Sequence, residues 1–322
     1  MSANPIKVLY VAAWDRSGST ILSNVLGEIP GFFSTGEINN LWRRGLIENK
    51  LCGCQSPFNQ CALWPTIIKQ AFGDRDGIDP AAIEQAATRL TNADLALSWL
   101  PGGQQRLLAK CGDFLPTMQK LYSSIQSVTG AEMIVDASKN PAHGYMLSQL
   151  PGVEVHVIHL VRSPHGVAHS LMKKKLYDPD PKHPSYMERH GLIRSTLIWS
   201  AWNLLIENLW KNSGRYLRVR YEDFMARPKA TVLNILEFAG TGSKILPFVG
   251  DHDVTLSTNH NVSGNPSRFK TGRVALELDN EWERNMKLQQ KLLIDFLYFP
   301  ILWRYGYLPA ESIRHTTQTI PS

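Results

Sequence analysis

The chain has 322 residues, of which 43% are hydrophobic and 19% charged, with a net charge of +6 and a pI of about 9.1. That balance is ordinary for a globular chain, long enough for one large α/β domain with insertions or two small domains. The modest basicity fits an anionic ligand, whereas the absence of a long Lys/Arg run or a recognised nucleic-acid module argues against a nucleic-acid partner.

The first element predicted is a buried strand. Val8, Leu9, Tyr10 and Val11 form a short apolar, β-favouring run. It is too short for a secretory h-region and is interrupted by Asp15 and Arg16. No stretch approaches the ~20 apolar residues needed to span a bilayer, so a cytoplasmic location is expected. After the strand come Arg16, Ser17, Gly18, Ser19 and Thr20, then Ile21, Leu22, Val25 and Leu26 at helical spacing. Gly18 permits a sharp turn, and a helix starting at the hydroxyl residues offers free N–H groups and a positive dipole end to an anion. Arg16 adds a forked cation. A nucleotide P-loop would need a Lys before the hydroxyl residue. None precedes Ser19, which disfavours an ATP or GTP hydrolase.

Phe32, Phe33 and Ser34 read as a second strand. Glu37 then stands where a helix could open, either as a dipole-favoured carboxylate or as a base at a strand end. Residues 43–61 look like a loop insertion holding Cys52, Cys54 and Cys61, three of the four cysteines. Zinc usually wants four ligands and often a C-x₂-C pair. C-x-C followed by one more Cys supplies three, with no nearby His, so a disulfide or plain buried thiols are set ahead of zinc. The pattern from 62 to 128 is mostly helical, with helices over 81–97 and 115–128 forming a cap on the sheet edge.

Residues 133–136 predict another buried strand. Asn140 as N-cap and Pro141 at the first helical position start a helix, leaving Lys139 at the strand's carboxyl end, facing the same crevice as Arg16 or simply exposed. His143 reads as a helix-surface residue. Val153–Val161 is the clearest strand. It ends in Arg162, and a Pro164-initiated helix carries Ser170. The Pro-rich stretch 173–194 is a surface loop and a candidate acceptor lid. A long helix, Leu192–Trp210, is expected to bury Ile193, Leu197, Ala201, Leu204, Leu205 and Leu209. A strand ending in Arg220, Tyr221, Glu222 and Asp223 precedes a helix begun by Pro228. Residues 259–270 form a Gly/Asn/Pro-rich basic turn that includes Asn265, Arg268 and Phe269. A last helix over 280–299 is expected to pack through Leu293 and Leu297.

Taken together, four stretches resemble the PAPS-dependent sulfotransferases, which use 3′-phosphoadenosine 5′-phosphosulfate. They are the 16–20 loop, Arg162 with Ser170, the 220–223 strand end and the Gly-Asn-Pro-Ser-Arg-Phe run at 264–269. The resemblance implies a P-loop-like three-layer α/β fold, with a central mainly parallel sheet and a helical insertion at about 43–130 within a single 1–322 domain. It implies that Arg16, Ser17, Gly18, Ser19 and Thr20 hold the 5′-phosphosulfate, and that Arg162, Ser170 and Arg268 hold the 3′-phosphate. Tyr221, Asn265 and Phe269 would complete the nucleotide site. Glu37, 21 positions after Arg16, matches a catalytic Glu of tyrosylprotein sulfotransferases and similar enzymes, and Lys139 matches a catalytic Lys. Many cytosolic relatives use a His base instead, for which His260 and His143 stay open. The implied acceptor is a hydroxyl or amine of a small molecule, lipid or glycan, and the scheme requires no metal. A non-catalytic nucleotide-binding protein on the same fold, or a P-loop kinase, are the competing readings.

Overall fold

A computed structural model describes residues 5–73, 78–98, 100–174, 176–178, 185–242 and 245–308. Its first strand, β1 (Ile6–Ala13), runs into α1 (Ser19–Gly27) and then β2 (Phe32–Gly36). A 3₁₀ turn (Ile38–Asn40) and a π-helical segment (Leu41–Ile47) follow, and a further 3₁₀ turn (Phe58–Gln60) leads to α2 (Trp64–Phe72). Next come α3 (Pro80–Ala87), α4 (Asn92–Ala96), α5 (Gly103–Cys111) and α6 (Leu115–Thr129). The chain then alternates through β3 (Met133–Lys139), α7 (Pro141–Ser148), β4 (Val153–Val161) and α8 (Pro164–Met172). A small hairpin, β5 (Leu176–Asp178) and β6 (Ser185–Tyr186), precedes α9 (Leu192–Trp210), β7 (Tyr216–Arg220), α10 (Tyr221–Ala226) and α11 (Pro228–Phe238). The last part pairs β8 (Asp253–Leu256) with β9 (Gly272–Ala275) and ends in α12 (Glu281–Asn285) and α13 (Leu288–Arg304).

Five strands form one parallel sheet in the order β2-β3-β1-β4-β7. Because β1 and β4 are covered on both faces, their sequences are near-continuous apolar runs. Alternation along β1 then sorts side chains to opposite layers. Leu9, Val11 and Ala13 pack with Leu22, Val25 and Leu26 of α1 and with Phe224, Val232 and Ile235 of α10 and α11. Val8, Tyr10 and Ala12 pack on the other face with Trp64, Leu107, Met118, Met146 and Ile206. The expected three-layer α/β fold is thus observed, and the 43–130 segment shares a core with the sheet. β1 has β3 on one side and β4 on the other, so the connections reverse direction around it. The crevice beyond its carboxyl end is the ligand position favoured in such sheets.

The helix at 115–128 is found as α6. The expected 81–97 helix is two, α3 and α4, because Thr91 and Asp94 form a reciprocal capping box that restarts the chain. The 43–61 loop begins instead inside the π-helical segment, where Leu46 is buried and Gly45 packs against the Phe58 ring. The stripe expected in α9 is also displaced. Ile193 and Leu197 are 58% and 59% exposed, while Thr196, Trp199, Asn203 and Glu207 face inward. Thr196, Asn203 and Glu207 can take the buried face because each is satisfied, Thr196 by its Oγ1 donating to the Leu192 carbonyl. Asn203 Oδ1 lies 2.8 Å from His159 Nε2, and Glu207 accepts from Arg304 and from the Tyr305 hydroxyl. Burial pushes His159 down to about 4, so its ring is neutral at pH 7 and Nε2–H donates to Asn203. The final helix is interrupted between α12 and α13 and kinked at Tyr298, two residues before Pro300. It buries Ile294 and Leu302 and leaves the expected Leu293 and Leu297 partly exposed.

Asn140 caps α7 as expected: its Oδ1 accepts from the Ala142 N–H at 2.9 Å. Asn140→Ala is expected to cost about 1 kcal/mol, read as a lowered urea midpoint with an unchanged m-value. The Tyr10 hydroxyl bond to the residue 140 carbonyl does not depend on the side chain.

Candidate active site

The carboxyl ends of β1, β2, β3 and β4 open into a cavity of about 700 Å³ lined by Arg16, Gly18, Ser19, Thr20, Glu37, Lys139, Arg162, Ser170, Tyr221 and Asn265, among others. The folding of the β1–α1 connection explains its shape. Arg16 and Gly18 both take left-handed backbone conformations, with φ of 65° and 88°. That turn delivers the first helical bond from the Leu22 N–H to the Gly18 carbonyl, leaving the preceding N–H groups of α1 without intrahelical partners. A side chain at Gly18 is excluded twice over, by φ and by the Tyr221 ring, which would lie 2.6 Å from its Cβ. Arg16 places a buried Nη1 that has no hydrogen-bond partner among the described residues. A buried guanidinium nitrogen left in this state is costly unless an anion meets it. Ser17 is buried behind the loop, and its hydroxyl likewise has no partner among the described residues.

On the other side of β1, Lys139 ends β3 with a left-handed φ of 66°. That twist aims its ammonium back across the crevice. Nζ donates to Glu37 Oε1 at 2.7 Å and to Asp15 Oδ1 at 2.9 Å. Burial disfavours the charged lysine, but the carboxylates of Asp15 and Glu37 outweigh it and hold the pKa well above the ordinary value. Lys139 in turn holds the Asp15 carboxyl below its ordinary range. Glu37 Oε2 accepts from Asn40 Nδ2 at 3.1 Å, and the carboxylate makes no capping bond to the following 3₁₀ turn. Glu37 thus stands at the N-cap position of that turn with its carboxylate turned to Lys139 and Asn40.

Arg162 is 6% exposed and spans the loops above β1 and β4. It donates to the Arg16 carbonyl at 3.0 Å and to the Asp279 carbonyl at 2.8 Å, pairs with the Asp279 carboxylate, and lies over the Tyr221 ring. Asn265 joins the late loop to α1, its N–H donating to Thr20 Oγ1 at 3.1 Å. Arg268 and Phe269 differ from expectation. The Arg268 side chain is 1% exposed, donates to the Gly264 carbonyl at 2.6 Å and stacks on Phe269. Its charge organises the loop from behind, while Asn265, Ser267 and Lys270 reach the cavity wall.

Neither alternative base reaches the cavity. His143 is buried against Asp136 and the Tyr122 hydroxyl, and His260 turns its Nδ1 to Cys61. The chain matches the description "Sulfotransferase family" over residues 9–243. The chain belongs to the sulfotransferase family. Solved structures similar to this sulfotransferase include the sulfotransferase domain from the Synechococcus PCC 7002 olefin synthase, at 19% identity, covering 92% of this chain and 95% of that one with a TM-score of 0.49. The sulfotransferase domain from the curacin biosynthetic pathway is 16% identical, with 92% and 98% covered and a TM-score of 0.49. A sulfotransferase from Mycobacterium tuberculosis is 13% identical, with 73% and 68% covered and a TM-score of 0.41. No curated protein sequence matches.

Several residues around the sulfotransferase cavity were not singled out by sequence. Asp15 adjoins Arg16, yet a lone carboxylate in a loop carries no signal of its partner. Arg43 and Arg44 line the wall from the π-helical segment after Glu37, and Lys270 closes the 264–269 motif. Their charge in the flanks of recognised motifs was the available signal. From the expected 173–194 acceptor loop, Tyr186, Met187 and Glu188 line the cavity, while residues 175 and 179–184 lie outside the described residues. Among the described residues no helix is long and apolar enough to cross a membrane.

Proposed function

We propose that the enzyme transfers a sulfo group from 3′-phosphoadenosine 5′-phosphosulfate to a hydroxyl or amine of a small molecule, lipid or glycan, and that the chain is a single domain built around this reaction. The observation that carries the proposal is the meeting, in one cavity, of an anion loop lacking a Walker lysine with the Glu37–Lys139 pair. In this reading Arg16, Gly18, Ser19 and Thr20 cradle the 5′-phosphosulfate, and the buried Arg16 Nη1 gains its anion. Arg162 and Ser170, with Asn265 and Lys270 of the same cavity lining, hold the 3′-phosphate, and Tyr221 fixes the floor beneath Gly18. Arg268 and Phe269 keep the late loop in shape.

Glu37 takes the proton of the acceptor hydroxyl as its oxygen bonds to sulfur. The bond from sulfur to the 5′-phosphate oxygen breaks on the opposite side, and that oxygen leaves with the electron pair. Lys139 and Arg16 offset the charge that builds on the sulfuryl and bridging oxygens. The acceptor enters past Trp14 and Trp202, whose rings meet edge to face at 4.7 Å, and past Tyr186. Such a wall suits an acceptor with an apolar or ring-shaped face.

Two measurements test this. The product nucleotide, 3′-phosphoadenosine 5′-phosphate, is expected to raise the melting temperature of the full chain, with about 2.7 kcal/mol of stabilisation at a hundredfold excess over Kd. Gly18→Val is expected to abolish that shift, since its side chain meets Tyr221. Stabilisation by ATP with Mg²⁺ and none by the bisphosphate would overturn the donor assignment. Incubation with ³⁵S-labelled donor and a panel of hydroxylated acceptors then reads transfer directly, and nucleotide binding without transfer to any acceptor would favour a non-catalytic role.

A further inference from the structure

The sequence spacing of Cys52, Cys54 and Cys61 offered three thiols and no neighbouring histidine. Folding corrects this by bringing in His260, 199 positions after Cys61. One ligand atom from each of the four residues lies within 4.8 Å of all the others, and Cys61 Sγ is 3.2 Å from His260 Nδ1. All four cysteines of the chain are free thiols in the structure. We propose that Cys52, Cys54, Cys61 and His260 form a tetrahedral structural zinc site, separate from the sulfo-transfer cavity.

Three lines of chemistry converge on zinc. Three thiolates and an imidazole are a closed four-ligand structural set, with Zn–S near 2.3 Å and Zn–N near 2.0–2.1 Å. Those bond lengths place ligand atoms about 3.5–3.8 Å apart, so no separation in the observed cluster needs to close by more than about 1 Å, and the Cys61–His260 pair opens slightly from 3.2 Å. The soft thiolates select against magnesium and calcium, and the tight spacing leaves no room for the bridging sulfides of an iron–sulfur centre.

The backbone around the cluster is built to hold it closed. Cys52 N–H donates to the Ser56 carbonyl and Gln55 N–H to the Cys52 carbonyl, forming a tight turn around Cys54. Gly53 N–H donates to the Asn261 carbonyl at 2.9 Å, which presses this turn against the histidine loop. Glycine is required there, because a Cβ on residue 53 would lie 2.0 Å from Asn259 Oδ1. Trp64 Nε1 donates to the His260 carbonyl at 2.6 Å, and the Leu63 N–H reaches Cys61 Sγ at 3.5 Å. Such outer contacts orient metal ligands. Cys52 and Cys61 are 0% and 3% exposed, whereas Cys54 and His260 are partly exposed and give the ion an entry path.

The site has a consequence for the cavity. The strand-like segment after His260 donates Val262 N–H to the Thr35 carbonyl and accepts Glu37 N–H at the Ser263 carbonyl. It then continues to Asn265, which bonds Thr20. Zinc would staple the insertion to a strap that borders both the anion loop and Glu37. On binding, each thiol gives its proton to the buffer and the imidazole binds neutral.

The test uses the full chain, purified under reducing conditions with zinc in the medium. About one zinc per chain is expected by elemental analysis, falling to substoichiometric levels in Cys54→Ser and His260→Asn. Should either variant fail to fold, the wild type still decides. After metal removal, cobalt(II) is expected to titrate in to one equivalent, giving thiolate-to-cobalt charge-transfer and tetrahedral d–d bands, and to restore the melting temperature. A reduced wild-type chain that neither retains zinc nor develops these bands would overturn the proposal. So would native protein whose intact mass shows a Cys52–Cys61 disulfide in place of bound metal.

Discussion

Glu37→Gln is expected to lower kcat/KM for sulfo transfer by about 10²–10⁴, the range of a lost general base, while leaving the affinity for 3′-phosphoadenosine 5′-phosphate within about twofold. The amide is nearly isosteric with the carboxylate, and its oxygen can still accept from Lys139, which donates to Glu37 Oε1 at 2.7 Å. Position and packing are thereby kept and proton acceptance is lost. The backbone of residue 37 is fixed independently, its N–H donating to the Ser263 carbonyl at 3.2 Å, so the nucleotide loops have no reason to move. Calorimetric titration of the bisphosphate and initial-rate kinetics on the same preparation separate binding from chemistry. Turnover within about fivefold of wild type would remove Glu37 from the base role. His143 and His260 would be poor successors, since the first is buried against Asp136 and the second faces Cys61.

The parts of this molecule that could be read in sequence are those whose signal is local. β1, β4 and α7 announce themselves through apolar runs and an Asn-Pro start, and the observed bounds of α6 differ by one residue from the expected ones. What could not be read depends on partners distant in sequence. Ile193 and Leu197 form a helical stripe with their neighbours, yet they face solvent because the inward face carries Asn203, which finds buried His159, and Glu207, which Arg304 reaches from the surface. Arg268 belongs to a recognisable motif, but whether a motif arginine faces the ligand or the Gly264 carbonyl is decided by loop geometry. His260 is the extreme case: its ligand partners lie about two hundred residues earlier, and no spacing rule connects them. Asp15 shows the same limit within the site. Its role emerges only when β3 carries Lys139 alongside β1, pairing Ala12 with Lys139.

Lys139→Met is expected to damage both chemistry and stability, with a pH signature that separates the two. Removing one preorganised donor from the developing charge should cost about 10²–10³ in kcat. It also strands two carboxylates that a single ammonium had joined. Lys139 and Glu37 side chains are 15% and 12% exposed, so losing this pair belongs at the low end of buried-pair effects, about 3 kcal/mol. The Asp15 contact, at 50% exposure on the acid, adds little through solvent. The sign with pH follows from the two shifts. The Lys139 pKa is raised, so its contribution is present below the unfolded lysine value near 10.4 and is lost only as pH climbs through the higher folded value. The Asp15 pKa is lowered, so its share is present above the unfolded aspartate value near 3.9 and is lost as pH falls through the lower folded value. The melting-temperature deficit of Lys139→Met should therefore be full and flat from about pH 5 to 8 and narrow below about pH 4. The kcat deficit at pH 7 should persist when the temperature is lowered far enough that both proteins are folded. A stability deficit that stays unchanged below pH 4, together with a kcat that recovers on cooling, would mean that the lysine serves packing alone and that the charge on the sulfuryl oxygens is met elsewhere.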